Sequence, residues 1–230
     1  MSRKEAIIVL GKPGSGKGTQ AKLLADRLDF FYFSSSAIGK EYITTHNDLE
    51  SKEQSFKSDK GILWDSTWIL KVVEEKTGEI FSRADGIVYD GFPRDLFEAE
   101  RFLLFLTKLF GKENVKIIEL EVSDKEVRKR ISKRLVCSKN PQHLFVESGE
   151  LRVDSDCPEG DGLLAERIDD SEERLKVRFD EYYKNTAPGI EFLKNNYSVI
   201  VIQGEGLTED IHKNIVSALN YDNHKNKRGN

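Results

Sequence analysis

Ala6-Ile7-Ile8-Val9-Leu10-Gly11-Lys12-Pro13-Gly14-Ser15-Gly16-Lys17-Gly18-Thr19-Gln20 is the stretch on which the reading of the chain turns. Its first five residues are apolar on both faces of an extended segment, the pattern of a strand buried within a parallel sheet. Residues 11–17 then follow the spacing G-x-x-x-x-G-K. The periodicity predicts a helix from Lys17 to Leu28, with Ala21, Leu24, Ala25 and Leu28 on one face. Glycines let backbone N–H groups converge on phosphate oxygens with no side chain between, and the helix N-terminus adds partial positive charge. Lys17 can reach the β- and γ-phosphates of a nucleoside triphosphate. Gly14, Ser15, Gly16, Lys17, Gly18 and Thr19 are therefore the expected triphosphate contacts. The general motif places a hydroxyl directly after the lysine, whereas here Gly18 intervenes and Thr19 carries it. Strand, glycines, lysine and helix all agree, so a ligand-free glycine turn is the poorer account.

Outward from this loop, short β-branched runs alternate with longer helical periods, which predicts a parallel sheet flanked by helices. Strands are expected at residues 30–33, 87–90, 115–122 and 198–202, making five with residues 6–10. Phe102, Phe105, Leu106, Leu109 and Phe110 repeat at helical spacing within residues 99–110, and Ile211, Ile215, Ala218 and Leu219 mark a closing amphipathic helix. Two stretches break the rhythm. Residues 34–64 read as polar, weakly periodic helices, and residues 136–166 are rich in Gly, Pro, Asp and Ser with turn signals. Both read as insertions at the carboxyl ends of strands, where open α/β sheets bind ligands. The chain reads as one domain without repeats, ending in a polar tail, 222–230, expected to be disordered.

Composition narrows the function classes. Thirty-six Lys and Arg against 40 Asp and Glu leave a net charge of −4, so no basic field awaits nucleic acid. The first apolar run is too short for a signal peptide or a membrane span. Two cysteines, Cys137 and Cys157, make no secreted disulfide framework. The four histidines are scattered, and no nucleophile–base pair of the hydrolase kind is evident. A cytoplasmic monomer is expected, with no membrane partner.

The longer string Gly11–Gln20, including its Gly18-Thr19 variation, resembles the adenylate kinase family. So does Asp90-Gly91-Phe92-Pro93-Arg94 directly after the third strand, followed in the family's order by Arg130-Ile-Ser-Lys-Arg134, Arg167-Ile-Asp169-Asp170, Arg178 and Thr186-Ala187-Pro188. The resemblance spans nearly the whole chain. It implies a P-loop NTPase-type five-stranded parallel sheet with a monophosphate-binding insertion (34–64) and a lid (136–166), the lid closing to exclude water. It implies that Mg²⁺-bound ATP and a nucleoside monophosphate, AMP first, are the substrates. Lys17, Arg94, Arg134, Arg167 and Arg178 then carry catalysis, which in phosphoryl transfer is positioning and charge neutralisation. Arg130, Arg134, Gly204 and Gly206 join the phosphate loop at ATP. The acceptor falls to Ser35, Lys40, Ile62, Leu63, Trp64, Gly91, Phe92, Pro93, Arg94, Glu98, Arg167 and Arg178. Asp90, ending a hydrophobic strand, is placed to hold Mg²⁺ through water. A helix-face charge in solvent is the ordinary fate of any one arginine; the motif order argues otherwise for these five.

The chain also departs from the family pattern. Many bacterial relatives bind structural zinc in the lid with four cysteines, or three and an aspartate. Here only Cys137 and Cys157 stand in such places, with Asn140 and Gly160 in the others and His143 and Asp161 nearby, so zinc is not expected. Ser34-Ser35-Ser36-Ala37 and Lys40 replace a Ser-Thr-Gly-Asp and arginine, keeping charge but losing the planar fork. Glu98 replaces a glutamine that reads adenine, and Trp64 replaces a small aliphatic residue. A shift in base preference toward GMP or CMP is therefore one alternative. A nucleotide-binding regulator that has lost transfer is another.

Overall fold

The computed structural model describes residues 4–46, 48–140, 143–160 and 162–222. In chain order the elements are β1 (Glu5–Gly11), α1 (Lys17–Leu28), β2 (Phe31–Ser34), α2 (Ser35–Thr45), α3 (Leu49–Asp59), α4 (Ser66–Phe81), β3 (Gly86–Asp90) and α5 (Leu96–Phe110). There follow β4 (Val115–Glu121), α6 (Asp124–Ile131), β5 (Arg134–Cys137), β6 (Leu144–Val146), β7 (Leu164–Glu166), α7 (Glu172–Glu181), α8 (Ala187–Asn196), β8 (Val199–Gln203) and α9 (Thr208–Ala218). A short π-helical turn, Tyr182–Thr186, joins α7 to α8.

The five expected strands form one parallel sheet in the order β2-β3-β1-β4-β8. β1 is central, with Ile7 level with Val88 on one side and Lys116 on the other. Both its faces are covered, which is why its side chains are apolar throughout. Ala6, Ile8 and Leu10 pack with Trp68, Phe102 and Leu193 from α4, α5 and α8. Ile7 and Val9 pack with Leu24 and Ile215 from α1 and α9. Phe102 is fully buried, and its transfer from water contributes about 2–3 kcal/mol. Because the strands are parallel, Gly11, Ser34, Asp90, Glu121 and Gln203 end on one edge of the sheet. The phosphate loop and the first insertion arise there, while the second insertion follows α6.

Several boundaries move. The helix expected over residues 99–110 begins at Leu96, because Asp95 caps it by accepting from the Glu98 N–H at 2.7 Å. Of the Arg130–Arg134 motif, Arg130 lies on α6, which ends at Ile131, and Arg134 opens β5. The segment expected as a lid, which shows only turn signals in sequence, contains an antiparallel sheet of order β6-β5-β7. Its strands are three or four residues long, too short to display a period. The first insertion does hold two polar helices, α2 and α3. Of the tail, Asp222 is described and residues 223–230 lie outside the described residues. Among the described residues, no helix is long and apolar enough to cross a membrane.

Candidate active site

The phosphate loop connects β1 to α1. Gly14 and Gly16 have φ of +79° and +91°, in the left-handed region that favours glycine. Gly16 precedes α1 without any side-chain cap, so the first amides of the helix stay open to a ligand. Ser15 is 1% exposed, and its Oγ has no partner among the described residues. Lys17 is half-buried and donates to the Lys12 carbonyl at 3.3 Å. Burial pushes its ammonium down to about 8, with Arg178, Arg94 and Arg134 adding to the drop and Asp90 opposing it.

The structure also explains Gly18. A Cβ there would lie 2.9 Å from Asp90 Oδ2, so the carboxylate stands where a side chain after Lys17 would begin. Tyr32 donates to that same oxygen at 2.9 Å, while Oδ1 has no hydrogen bond among the described residues. A carboxylate beside the phosphate loop with one oxygen uncommitted suits Mg²⁺ held through water. The residues present fit that ion.

Across from the loop lies a cleft of about 920 Å³, counting its open mouth. Five cations line it from separate segments: Lys17 on α1, Lys40 on α2, Arg94 after β3, Arg167 after β7 and Arg178 on α7. Burial lowers Arg178 to about 10, Arg167 lowers it further, and Asp169 opposes. Burial lowers Arg94 as well, against the pull of Glu98 and Asp90. Cations that depress one another this way are stabilised when an anion enters between them.

Not every expected residue reaches this cleft. Arg134 pairs bidentately with Asp170, with Nε 2.6 Å from Oδ2. Arg130 binds Glu126 through Nε, the Ser15 carbonyl at 3.1 Å and the Gly204 carbonyl at 2.7 Å. It thereby ties the phosphate loop to the turn after β8, where Gly206 faces open space. Thr19 points outward. Ser35 is buried and donates to the carbonyls of Asp90 and Gly91, whereas Ser36 lines the cleft.

Ile62, Leu63, Trp64, Gly91 and Pro93 complete the wall on the first-insertion side. A small adjoining pocket is lined by Ser35, Phe92 and Glu98 and shares Leu63, Trp64 and Arg94 with the cleft. Trp64 is fixed: its indole N–H donates to the Gln54 carbonyl at 3.0 Å, and its ring meets Trp68 edge-on at 5.4 Å.

Sequence reasoning missed the acids that organise the arginines. Asp169 accepts from Arg167 and from Arg174, each at 3.0 Å, and its carbonyl accepts from Arg178 at 3.3 Å. The Asp169-Asp170 pair is visible in the motif, but nothing there says which arginine each one holds. Thr186, Tyr182 and Glu181 also line the cleft, and the Thr186 hydroxyl donates to the Arg94 carbonyl at 2.6 Å. The π-helical turn that carries Tyr182 and Thr186 leaves no mark in side-chain spacing.

A buried strand running into an uncapped helix start, faced by crowded cations across one sheet edge, is how P-loop enzymes move phosphoryl groups between nucleotides. The adenylate kinase family model matches residues 9–198. The chain is 30% identical to an adenylate kinase of Acetivibrio thermocellus over 216 residues, covering 93% of this chain and 97% of that protein. It is 32% identical to one of Petrotoga mobilis over 213 residues, covering 93% and 96%. An adenylate kinase of Chlamydia trachomatis is 31% identical over 225 residues, covering 93% and 89%. The chain belongs to the adenylate kinase family and is a nucleoside monophosphate kinase.

The lid holds one further group of donors. Ligand atoms of Cys137, His143 and Cys157 all lie within 4.8 Å of one another. His143 Nδ1 is 3.5 Å from Cys157 Sγ, while the Asn140 amide, 2.8 Å from Nε2, holds the ring. Burial alone would raise the Cys137 thiol, but backbone N–H groups of Asn140, Lys139 and Gly162 bring it below its ordinary value. Two thiols and an imidazole, the ring braced from behind, suit zinc. His143, already near in sequence, is brought beside both thiols, giving three of the four donors that tetrahedral zinc takes. Asp161 lies outside the described residues.

Proposed function

We propose that this cleft transfers the γ-phosphoryl group of ATP in line to the phosphate of AMP, giving two molecules of ADP. The observation that carries the reading is the crowding of Lys17, Arg94, Arg167 and Arg178 around one cavity beside the phosphate loop. Amides of Gly14–Thr19 cradle the donor's phosphates, Lys17 draws charge from the β- and γ-oxygens, and Arg130, Arg134, Gly204 and Gly206 border the donor. Asp90 would hold Mg²⁺ through water, and the ion would supply charge neutralisation at the donor's phosphates. Arg94, Arg167, Arg178 and Lys40 hold the acceptor's phosphate, whose oxygen forms the new bond to phosphorus as the bond to the ADP oxygen breaks. No protein group is phosphorylated on the way.

The lid arginines, Arg134 and Arg167, are held by Asp170 and Asp169 until phosphates compete for them. Lid closure excludes water that would hydrolyse the donor. In the lid, Cys137, His143 and Cys157 would supply three donors to a structural zinc. The near balance of charge and a pair of cysteines that form no disulfide fit a cytoplasmic protein. The test is coupled ADP production with MgATP and each of AMP, GMP, CMP and UMP. Turnover with at least one is expected, and none with any would refute the reading.

A further inference from the structure

Asp169 is an anion placed where another anion must arrive. It lines the acceptor cleft together with Lys40, Arg94, Arg167 and Arg178. Burial alone would raise its carboxyl, but Arg167, Arg178, Lys40 and a bond from Arg174 bring it below its ordinary value, so it stays a carboxylate. Its two oxygens have different holders. Oδ2 accepts from Arg167 Nη2 and Oδ1 accepts from Arg174 Nη1, each at 3.0 Å. Arg167 lines the cleft and Arg174 does not. Arg174 stands in the first turn of α7, after the Ser171 cap, where a cation meets the positive end of the helix dipole. The helix itself gives no reason for an arginine there.

The other arm of the same guanidinium supplies one. Arg174 Nη2 donates to the carbonyl of Asp59, the last residue of α3. Among the described residues this is the one hydrogen bond from α7 to the first insertion. The last carbonyls of a helix are unpaired and carry partial negative charge, which suits a guanidinium. The turn after α3 rests on α7 as well. A Cβ on Gly61, whose φ is +73°, would lie 3.7 Å from Arg178 Cγ and 3.9 Å from the Arg174 carbonyl. Ile62, Leu63 and Trp64, which follow that turn, form the wall of the cleft. One planar fork thus spans the carboxylate that holds Arg167 and the helix end that leads into the acceptor wall.

We infer that Arg174 is a positioning residue for the acceptor: it keeps Asp169 paired when Arg167 turns to phosphate, and it holds the end of α3 against α7. The inference rests on the monophosphate-kinase reading of the same cleft. A phosphate that draws Arg167 away removes one partner of Asp169, and a poorly hydrated carboxylate without a partner is costly. With Arg174 still on Oδ1, that carboxylate remains paired and Arg167 is released. Without Arg174, Asp169 keeps its hold on Arg167, and its charge repels the incoming phosphate. The wall carrying Trp64 also loses its tether to α7.

The test compares wild type, Arg174→Met and Arg174→Lys. The chain's two tryptophans, Trp64 and Trp68, meet edge-on at the acceptor wall, so tryptophan fluorescence reports AMP binding without turnover. The dissociation constant for AMP, KM for AMP, KM for MgATP and the melting temperature are measured for each protein. In Arg174→Met both AMP constants rise by about tenfold or more, as expected for lost charge-assisted bonds. KM for MgATP stays within about twofold, because the donor is held from the phosphate loop, away from α3. Arg174→Lys keeps the charge but offers one ammonium in place of the fork, so its AMP constants fall between those of the other two. Unchanged AMP constants in Arg174→Met overturn the inference. An equal rise in KM for both substrates, with a lowered melting temperature, overturns it too, since that is what a merely structural ion pair would give. If Arg174→Met does not fold, Arg174→Lys decides, and wild-type AMP constants in it overturn the bridge. Failure of the kinase reading is distinct, because it shows in wild type as no turnover with any monophosphate.

Discussion

Replacing Lys17 with methionine gives two effects of opposite sign, both set by where the ammonium sits. In the folded protein the group falls from its ordinary 10.5 to about 8, mainly because burial disfavours its charge. A base whose folded value is lowered subtracts stability at every pH below that value, and the loss fades between about 8 and 10.5. The drop corresponds to a ceiling of about 3 kcal/mol. Water at the cleft mouth reaches the half-buried side chain and reduces that to about 1–2 kcal/mol. Methionine fills a similar volume without the charge. Lys17→Met is therefore expected to be more stable than wild type at pH 7, by about 2–8 °C in melting temperature for a chain of this size. The gain shrinks to nothing as the pH is raised past 10.5. Transfer, by contrast, falls at least about 10³-fold, roughly 4 kcal/mol of transition-state stabilisation. Thermal melts across pH and a coupled ADP assay on the same preparations measure both. A variant less stable than wild type at neutral pH, or one within about tenfold of its rate, would refute the placement of Lys17 as a desolvated cation waiting for phosphates.

Arg134→Ala and Arg167→Ala are expected to lower kcat far more than melting temperature, since their charge acts on the transition state; unfolding with unchanged specific activity would make them structural. Elemental analysis should find about one zinc per chain, lost in Cys157→Ser together with part of the lid's thermal stability; metal-free protein with an intact lid would remove the site. Gly39→Ala drives a methyl group to within 2.3 Å of the Trp64 ring, which cannot retreat from Gln54 and Trp68, so stability falls by about 1–2 kcal/mol and KM for the monophosphate rises. Gly78→Ala, in α4 with nothing within 4 Å, should instead stabilise by about 0.5–1 kcal/mol; equal effects at the two glycines would show that Trp64 is free to move.

The sheet and the phosphate loop were legible in the residues because their causes are local. A strand covered on both faces must be apolar throughout, and Ala6–Leu10 is. A loop that wraps phosphate needs glycine where φ is positive, and Gly14 and Gly16 stand there. The five strands and the helices α1, α5 and α9 follow from hydrophobic period, with ends displaced by caps such as Asp95. The cations at the cleft could be named from motif order, since charge for phosphate is a demand on residue type.

Only the tertiary structure decided what depends on residues far apart in the chain. The lid strands are too short to show a period and exist because β5 collects partners on both sides. Asp169 and Asp170 hold the arginines through distances no spacing encodes, and Gly18 is glycine because Asp90, some seventy residues on, occupies its Cβ position. His143 comes within reach of both thiols only because the fold sets Cys137 and Cys157 beside it. Glu98 stands out in sequence as an unusual residue, but its acidity is a property of burial. A carboxyl becomes a weak acid when the fold removes its water, and which residues do so is fixed by packing from α2, α4 and the turns beside them.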